Sequence, residues 1–189
     1  MLETIFNDIG TIDQLGDFRR KNLTTLRDAL LANELPFEME TYCRFESKVA
    51  VGQVITLDLL DDLRKARGKE DCGTAACAVG WAPLFIEPDE EFLAGYKNKD
   101  RFSYNHYSEK YLLPTDNDWW DWCFSGGWSS VDNSRLGAAY RISVLLEADD
   151  TDLRAGPPLT EYSISEEEAD DVSYFENRAK WLAERGIKE

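Results

Sequence analysis

Several features that mark common classes of protein are missing from this sequence. No run of apolar residues approaches the eighteen or more that a membrane-spanning helix needs. Met1 to Gly16 carries acidic residues where a secretion signal would carry basic residues followed by an apolar stretch. We find no phosphate-binding loop, dinucleotide-binding glycine pattern, serine-centred catalytic motif or internal repeat. We therefore expect a cytoplasmic protein that does not contact membranes.

Cysteine and histidine are scarce. The chain has four cysteines, Cys43, Cys72, Cys77 and Cys123, and a single histidine, His106. In a chain without a secretion signal, so few cysteines are typical of reduced thiols rather than of a disulfide framework. We predict free cysteines and no bound cofactor.

Acidic residues outnumber basic ones by 37 to 21, so the formal net charge is -16. Such a charge repels nucleic-acid phosphates and attracts basic partners, which predicts no direct binding of DNA or RNA. A purely solubilising role is the alternative reading of the same charge. The hydrophobic fraction of 43%, with six Trp, is too high for a disordered acidic chain and indicates a packed core.

Hydrophobic periodicity predicts a mainly α fold, a compact helical domain around a central buried helix with one short extended or β element. Apolar spacing favours helices over Thr11–Ala32 and from Arg135 to about Ala148, whereas alternation over Phe37–Phe45 favours extended structure. The small residues that follow Thr74 favour Ala75–Phe85 as the central buried helix. A capping box at Ser165–Glu168 predicts the start of a last helix, which ends before Gly186.

Three further segments complete the predicted organisation. Capping residues and charge order favour a helix from about Thr56 to Gly68, and Glu87–Ser130 is expected to hold short helices and loops. Asp149–Pro158, polar and with two prolines, is predicted as a loop. We expect one domain over residues 1–189, with a core over about 11–147 and an acidic C-terminal loop and helix over about 149–186.

The most specific local pattern is Asp71-Cys72-Gly73-Thr74-Ala75-Ala76-Cys77-Ala78-Val79-Gly80-Trp81-Ala82. It resembles a group of small proteins, encoded largely by phages and prophages, that share the motif C-G-T-x-x-C-x-x-G-W/H-A. The likeness extends upstream to Phe37-Glu38-Met39 and downstream to Cys123–Trp128 and the helix Ala138–Leu146, which places it over about residues 37 to 147.

The resemblance implies a phage-related origin and a shared helical core. It implies no chemistry, because that group has no established activity. It gives Cys72, Gly73, Thr74, Cys77, Gly80 and Trp81 the role of a structural motif and supplies no catalytic residues. The chain departs from the pattern by a charged insertion around Lys48 to Glu70 and by an acidic C-terminal extension.

Cys72, Cys77 and His106 are the candidates for metal binding or thiol catalysis. Five residues of regular helix turn the side chain by about 140 degrees, so Cys72 and Cys77 would face apart unless Cys72 precedes the first turn. A thiol at a helix N-terminus has a lowered pKa, which makes Cys72 the candidate nucleophile and His106 its base. Small buried cysteines and a structural histidine are the simpler interpretation, and we predict no metal ligands and no catalytic residues.

Two segments are candidates for a binding surface. Asp116, Asp118 and Asp121 surround three tryptophans, an arrangement that suits a cation or sugar site, a protein interface or an ordinary helix start over a core. Between Glu147 and Glu176 there are eleven acidic residues and one basic residue, Arg154, which suits a solvated face or a surface that docks on a basic groove. The residues predicted to bind a partner are Glu166, Glu167, Glu168, Asp170, Asp171, Trp119 and Trp120.

These observations together predict a phage or prophage accessory protein that acts by protein–protein binding. We expect its acidic face, imitating DNA, to inhibit a host nucleic-acid-handling or defence protein through a basic surface of that protein. The alternatives are a metal-binding or cysteine-dependent enzyme that uses Cys72, Cys77 and His106, and a virion or assembly component. The identity of the partner and the oligomeric state stay open.

Overall fold

The computed structural model describes residues 3–6, 11–32, 37, 39, 44–45, 74–75, 77–95, 103–159, 165, 167, 169 and 173–188. This part of the chain is mainly helical with short antiparallel strand pairs, which confirms the predicted mainly α fold with a short extended element. None of the described helices is long and apolar enough to cross a membrane.

The helices are numbered here in chain order. They are α1 (Asp17–Ala32), α2 (Ala78–Trp81), α3 (Glu90–Ala94), α4 (Tyr104–Tyr111), α5 (Asp118–Phe124), α6 (Arg135–Glu147), α7 (Asp150–Ala155) and α8 (Tyr174–Glu184). Two 3₁₀ helices span Ala82–Leu84 and Gly126–Ser130. Strand β1 (Ile5–Phe6) pairs antiparallel with β2 (Ile12–Gln14), and β3 (Arg44–Phe45) pairs antiparallel with β4 (Thr74–Ala75).

Helices α1 and α6 pack against each other in antiparallel directions and form the centre of the fold. The Arg20 guanidinium donates to the carbonyl of Leu146, and the Arg135 guanidinium donates to that of Leu30 at 2.8 Å. Both carbonyls lie in the last turn of a helix, where backbone acceptors have no partner within the helix. Each helix therefore caps the C-terminal end of the other.

Helix α6 is the central buried helix, rather than the predicted segment Ala75–Phe85. Its apolar and small residues are buried on nearly all sides, as expected for a helix enclosed by other elements. It begins at the Ser134 cap, whose hydroxyl accepts from the Gly137 amide at 2.9 Å, close to the predicted start. Helix α2 is fully buried but has only four residues, because Thr74 and Ala75 pair with β3 and a 3₁₀ helix that contains Pro83 begins at Ala82.

Three predicted elements differ from the structure. The predicted helix over Thr11–Ala32 is wrong at its start, where Ile12–Gln14 forms β2 because it pairs with β1 and packs against α7. The predicted loop over Asp149–Pro158 contains α7. Glu167 and Ala169 are helical after Ser165, but the backbone at Ser173 has a φ of 57° and separates them from α8.

Some of the remaining predicted elements are confirmed, and others lie outside the described residues. The short helices between Glu87 and Ser130 are confirmed, and Arg44–Phe45 is extended as predicted. The predicted helix from Thr56 to Gly68 and most of the predicted extended segment lie outside the described residues.

Apolar side chains from Ile12 in β2 to Leu182 in α8 belong to one buried cluster, so the acidic C-terminal segment packs onto the core through its apolar side.

Candidate functional site

A groove of about 520 Å³ lies between the end of α6, α7 and α8. Its lining comprises Trp119 from α5, Tyr140, Val144, Glu147 and Ala148 from α6 and its C-cap, Asp152, Ala155, Gly156 and Pro158 from α7 and the turn after it, and Asn177, Lys180, Trp181 and Glu184 from α8. A concave site of this size, with aromatic and apolar walls and a few polar groups, is of the kind that binds ligands.

One wall of the groove is α7, and local hydrogen bonds explain why this short helix forms. The Asp149 carboxylate accepts from the amides of Thr151 and Asp152 at 2.7 and 2.9 Å, while the Asp152 carboxylate accepts from the Asp149 amide at 3.3 Å. This reciprocal capping box satisfies donors that the first turn leaves free. The same backbone hydrogen bonds lower the pKa of Asp149. The helix ends at Gly156, whose φ of 88° suits glycine.

The opposite wall carries an aromatic and cationic cluster. The rings of Trp181 and Tyr140 are 5.7 Å apart, and the Arg185 guanidinium carbon lies 4.3 Å from the centroid of the Trp181 ring. Arg185 also pairs with the Glu147 carboxylate at 3.2 Å. The Trp181 indole nitrogen is buried and has no acceptor among the residues that the structure describes. An indole N–H can only donate, so this wall offers an unused donor.

Carboxylates dominate the rim of the groove. Three acidic side chains, Glu147, Asp152 and Glu184, line it together with one basic side chain, Lys180, which gives the lining a formal charge of -2. Glu147, Asp149, Asp150 and Asp152, all exposed, form a continuous set that we call the acidic ridge. The acidic ridge therefore places negative charge beside a groove with aromatic walls.

A buried polar network joins helix α8 to α6 and to Asp132, which precedes α6. The Tyr174 hydroxyl donates to the Asp132 carboxylate and accepts from the fully buried Arg141 guanidinium. The same carboxylate pairs with Arg178 at 3.1 Å and accepts from the Ser134 hydroxyl at 2.6 Å. Burial raises the pKa of Tyr174. Because an unpaired buried charge costs several kcal/mol, about 3 to 5, this network strongly favours the docked position of α8.

The residues predicted to bind a partner are only partly placed by the structure. Trp119 is 1% exposed, donates to the Leu153 carbonyl at 3.1 Å and lines the groove, so its part in partner binding stays a prediction. Trp120 is half-buried and donates to the Ser108 hydroxyl at 2.9 Å. Glu167 is exposed. Glu166, Glu168, Asp170 and Asp171 lie outside the described residues.

Of the motif residues that the structure describes, Cys77, Gly80 and Trp81 lie in the interior. Thr74 is in β4, Cys77 precedes α2, and Gly80 and Trp81 are buried within that helix. Cys72 and Gly73 are not among the described residues.

Asn117 caps α5 by accepting from the Trp119 amide at 3.0 Å, while Trp119 and Trp122 are buried. The acidic residues near these tryptophans thus lie at a helix start over the core, the simplest of the three interpretations of this segment.

Neither described cysteine has the surroundings of a reactive thiolate. Burial raises the pKa of Cys77 to about 11 and that of Cys123 further still. His106 is exposed on α4 and its ring lies 5.1 Å from that of Phe92. Within the described ranges, no group of three or more His, Cys, Asp or Glu side chains has a geometry suited to a metal ion. Cys43 and Cys72 lie outside those ranges.

The residues that form the aromatic wall were not predicted from the sequence. Trp181 and Arg185 are four residues apart on α8 and its C-cap, a spacing that places side chains on the same face of a helix. A search for tryptophan followed by arginine at this spacing would have predicted their contact. Glu147 and Tyr140 have no comparable signal, because they come from another helix.

Comparisons with known proteins do not assign this chain to a family. No protein-family model, no curated protein and no solved structure matches it. The resemblance to phage-encoded proteins therefore stays a prediction from the motif, and the groove is interpreted from its own chemistry.

Proposed function

We propose that this chain is an acidic binding protein that captures a basic surface of another protein through the groove and its acidic ridge. In line with the phage-like motif, the partner we propose is a nucleic-acid-handling or defence protein in the cytoplasm of a host cell. The acidic ridge then occupies the basic surface that would otherwise hold nucleic-acid phosphates.

The observation that carries this proposal is the placement of four exposed carboxylates, within six residues of chain, beside a groove with aromatic walls. Carboxylates on a rim steer a basic partner towards the groove, and rigid aromatic residues supply contact area once water is displaced. The acids alone would give only weak, screened attraction at a Debye length of about 8 Å. The combination of a charged rim and a shaped groove supports specific binding.

The network beneath α8 adds to this support. A binding face is more effective when its walls are fixed before the partner arrives, because less conformational freedom is lost on association. Helix α7 is fixed by its capping box, and α8 is fixed by Tyr174, Asp132 and Arg141. Both walls of the groove are therefore preorganised.

The test is capture of proteins from a host lysate with a triple variant, Glu147→Gln, Asp150→Asn and Asp152→Asn. Asp149 is left unchanged because it caps α7. The control variant, Glu90→Gln, Glu91→Gln and Asp116→Asn, removes the same charge from exposed positions elsewhere. The proposal predicts a basic protein that the unmodified chain and the control retain and the triple variant loses.

The retained protein should also dissociate at high salt, since at about 1 M salt the screening length falls to about 3 Å. Equal capture by the triple variant and the control would show that the acidic ridge is not the binding face. Competition by duplex DNA for the captured protein would connect its basic surface to nucleic acid.

A further inference from the structure

Two residues that line the groove bind a cationic side chain of the protein itself. Arg185 stacks its guanidinium on the Trp181 ring, with the guanidinium carbon 4.3 Å from the ring centroid, and pairs with Glu147 at 3.2 Å. Both partners of Arg185, Trp181 and Glu147, line the groove, whereas Arg185 itself lies at its edge. Planar guanidinium groups stack on aromatic faces and pair with carboxylates better than ammonium groups do.

From this geometry, and resting on the proposed function, we propose that Trp181 and Glu147 form a guanidinium site that Arg185 occupies in the free protein and an arginine of the basic partner occupies in the complex. Arg185 is then an internal competitor that keeps the site closed to weak ligands. The contact is easily exchanged, because the side chains of Arg185 and Glu147 are 36% and 60% exposed and exposed ion pairs contribute little to stability.

Charge and hydrogen bonding in the groove both favour a peptide arginine as the occupant. The lining carries a formal charge of -2, and Asp152 and Glu184 offer further carboxylates within the same groove. The buried Trp181 indole N–H lacks an acceptor in the described part of the chain, and a peptide backbone brings carbonyl groups that can accept from it. A free cation or a lone ammonium would leave that donor unused.

The experiment measures binding of fluorescently labelled hexa-arginine and hexa-lysine peptides by anisotropy, with variants that change one charge each. Arg185→Gln vacates the site, and Lys188→Gln makes the same change of charge at an exposed neighbouring position. The proposal predicts that Arg185→Gln binds hexa-arginine about two- to fivefold more tightly than Lys188→Gln, the range of an exposed cation–π contact.

Two further variants test the partners of the guanidinium. Glu147→Gln is expected to weaken hexa-arginine binding more than Glu90→Gln does, and both positions are exposed, so the fold is kept. Trp181→Leu is expected to abolish the preference for hexa-arginine over hexa-lysine, with far-ultraviolet circular dichroism as the check on folding.

Equal affinities of Arg185→Gln and Lys188→Gln, or no preference for arginine over lysine in the unmodified chain, would overturn the guanidinium site. Failure of hexa-arginine to bind would overturn it as well. Neither result decides the proposed function, because capture of a basic protein that depends on the acidic ridge is measured separately with the triple variant and its control.

Discussion

The Tyr174 hydroxyl donates a 2.6 Å hydrogen bond to the buried carboxylate of Asp132. Tyr174 begins α8, and Asp132 precedes α6, so this bond joins the last helix to the centre of the fold. The hydroxyl also accepts from Arg141 at 2.9 Å, which places one neutral group between two buried charges. The wall of the groove that carries Trp181 depends on this contact.

Tyr174→Phe is therefore expected to lower the free energy of unfolding by about 1 to 3 kcal/mol, the cost of leaving buried polar groups with fewer partners. Urea unfolding measures the change. Tyr140→Phe removes the same atom from a neighbouring tyrosine that takes no part in the hydrogen bonds between Tyr174, Asp132 and Arg141, and serves as the control. Equal losses in the two variants would mean that the network adds nothing beyond ring packing.

Gly137 lies against the same carboxylate. A Cβ added at Gly137 would come inside contact distance of the Asp132 side chain, which is held by Tyr174, Arg178 and Ser134. Gly137→Ala is expected to destabilise the fold by about 1 to 3 kcal/mol, although alanine normally favours a helix by about 1 kcal/mol.

Thermal unfolding compares this variant with Gly126→Ala, where an added Cβ meets nothing within 4 Å. A change of less than about 0.5 kcal/mol is expected for the control, as for most substitutions that create no contact. A stabilised Gly137→Ala variant would show that Asp132 can move aside.

The stability of the fold is expected to depend on pH through Asp89. The hydrogen bond from Lys110, and then that from the Phe92 amide, lower the pKa of Asp89 from 3.8 to about 2. A carboxylate with a depressed pKa in the folded state stabilises the fold above its unfolded pKa and loses this effect as pH falls through the folded value. The stabilisation is therefore expected to be lost between about pH 4 and pH 2.

Asp89→Asn is the variant that tests this dependence, because asparagine can still cap α3. The unmodified chain should be more stable than the variant near neutral pH, and the difference should shrink towards zero at about pH 2. Urea midpoints across this range supply the measurement. A difference that stays constant with pH would assign the effect to capping rather than to the charge.

Cys77 and Cys123 are expected to resist alkylation in the folded protein. Both thiols are buried, and burial raises the pKa of each, that of Cys77 to about 11, so little reactive thiolate forms at neutral pH. Iodoacetamide labelling before and after unfolding, with peptide mapping by mass spectrometry, should show both cysteines labelled only in urea. Rapid labelling of either cysteine in the native protein would contradict its buried position.

A local cap signal predicted the start of α6, whereas α5 was covered only by the general expectation of short helices between Glu87 and Ser130. Ser134 precedes α6 and Asn117 precedes α5, and each side chain accepts from an amide of the first turn as its residue type predicts. The segment that forms α7 was predicted as a loop because it is polar and contains two prolines, and its capping box from Asp149 to Asp152 was not predicted. Those prolines lie after the helix ends, where they do not disturb it.

Tertiary pairing decided elements whose local preference was weak or misleading. Ile12–Gln14 continues the helical spacing of α1, yet it forms β2 because it can pair with Ile5–Phe6 and pack against α7. Ala75 follows the helical preference of its neighbours in sequence but pairs with Arg44 in the short sheet. Short strands gain most of their stability from partners that no local window contains.

By itself the sequence determined the mainly helical class and the excess of negative charge, because each follows from composition and short-range spacing. The groove was decided only by the tertiary structure. Its walls combine Trp119, Tyr140, Glu147, Asp152 and Trp181, which packing brings together from four helices. Periodicity shows which face of a helix is apolar but not which other helix covers it, and that choice set the position of the acidic ridge beside Trp181.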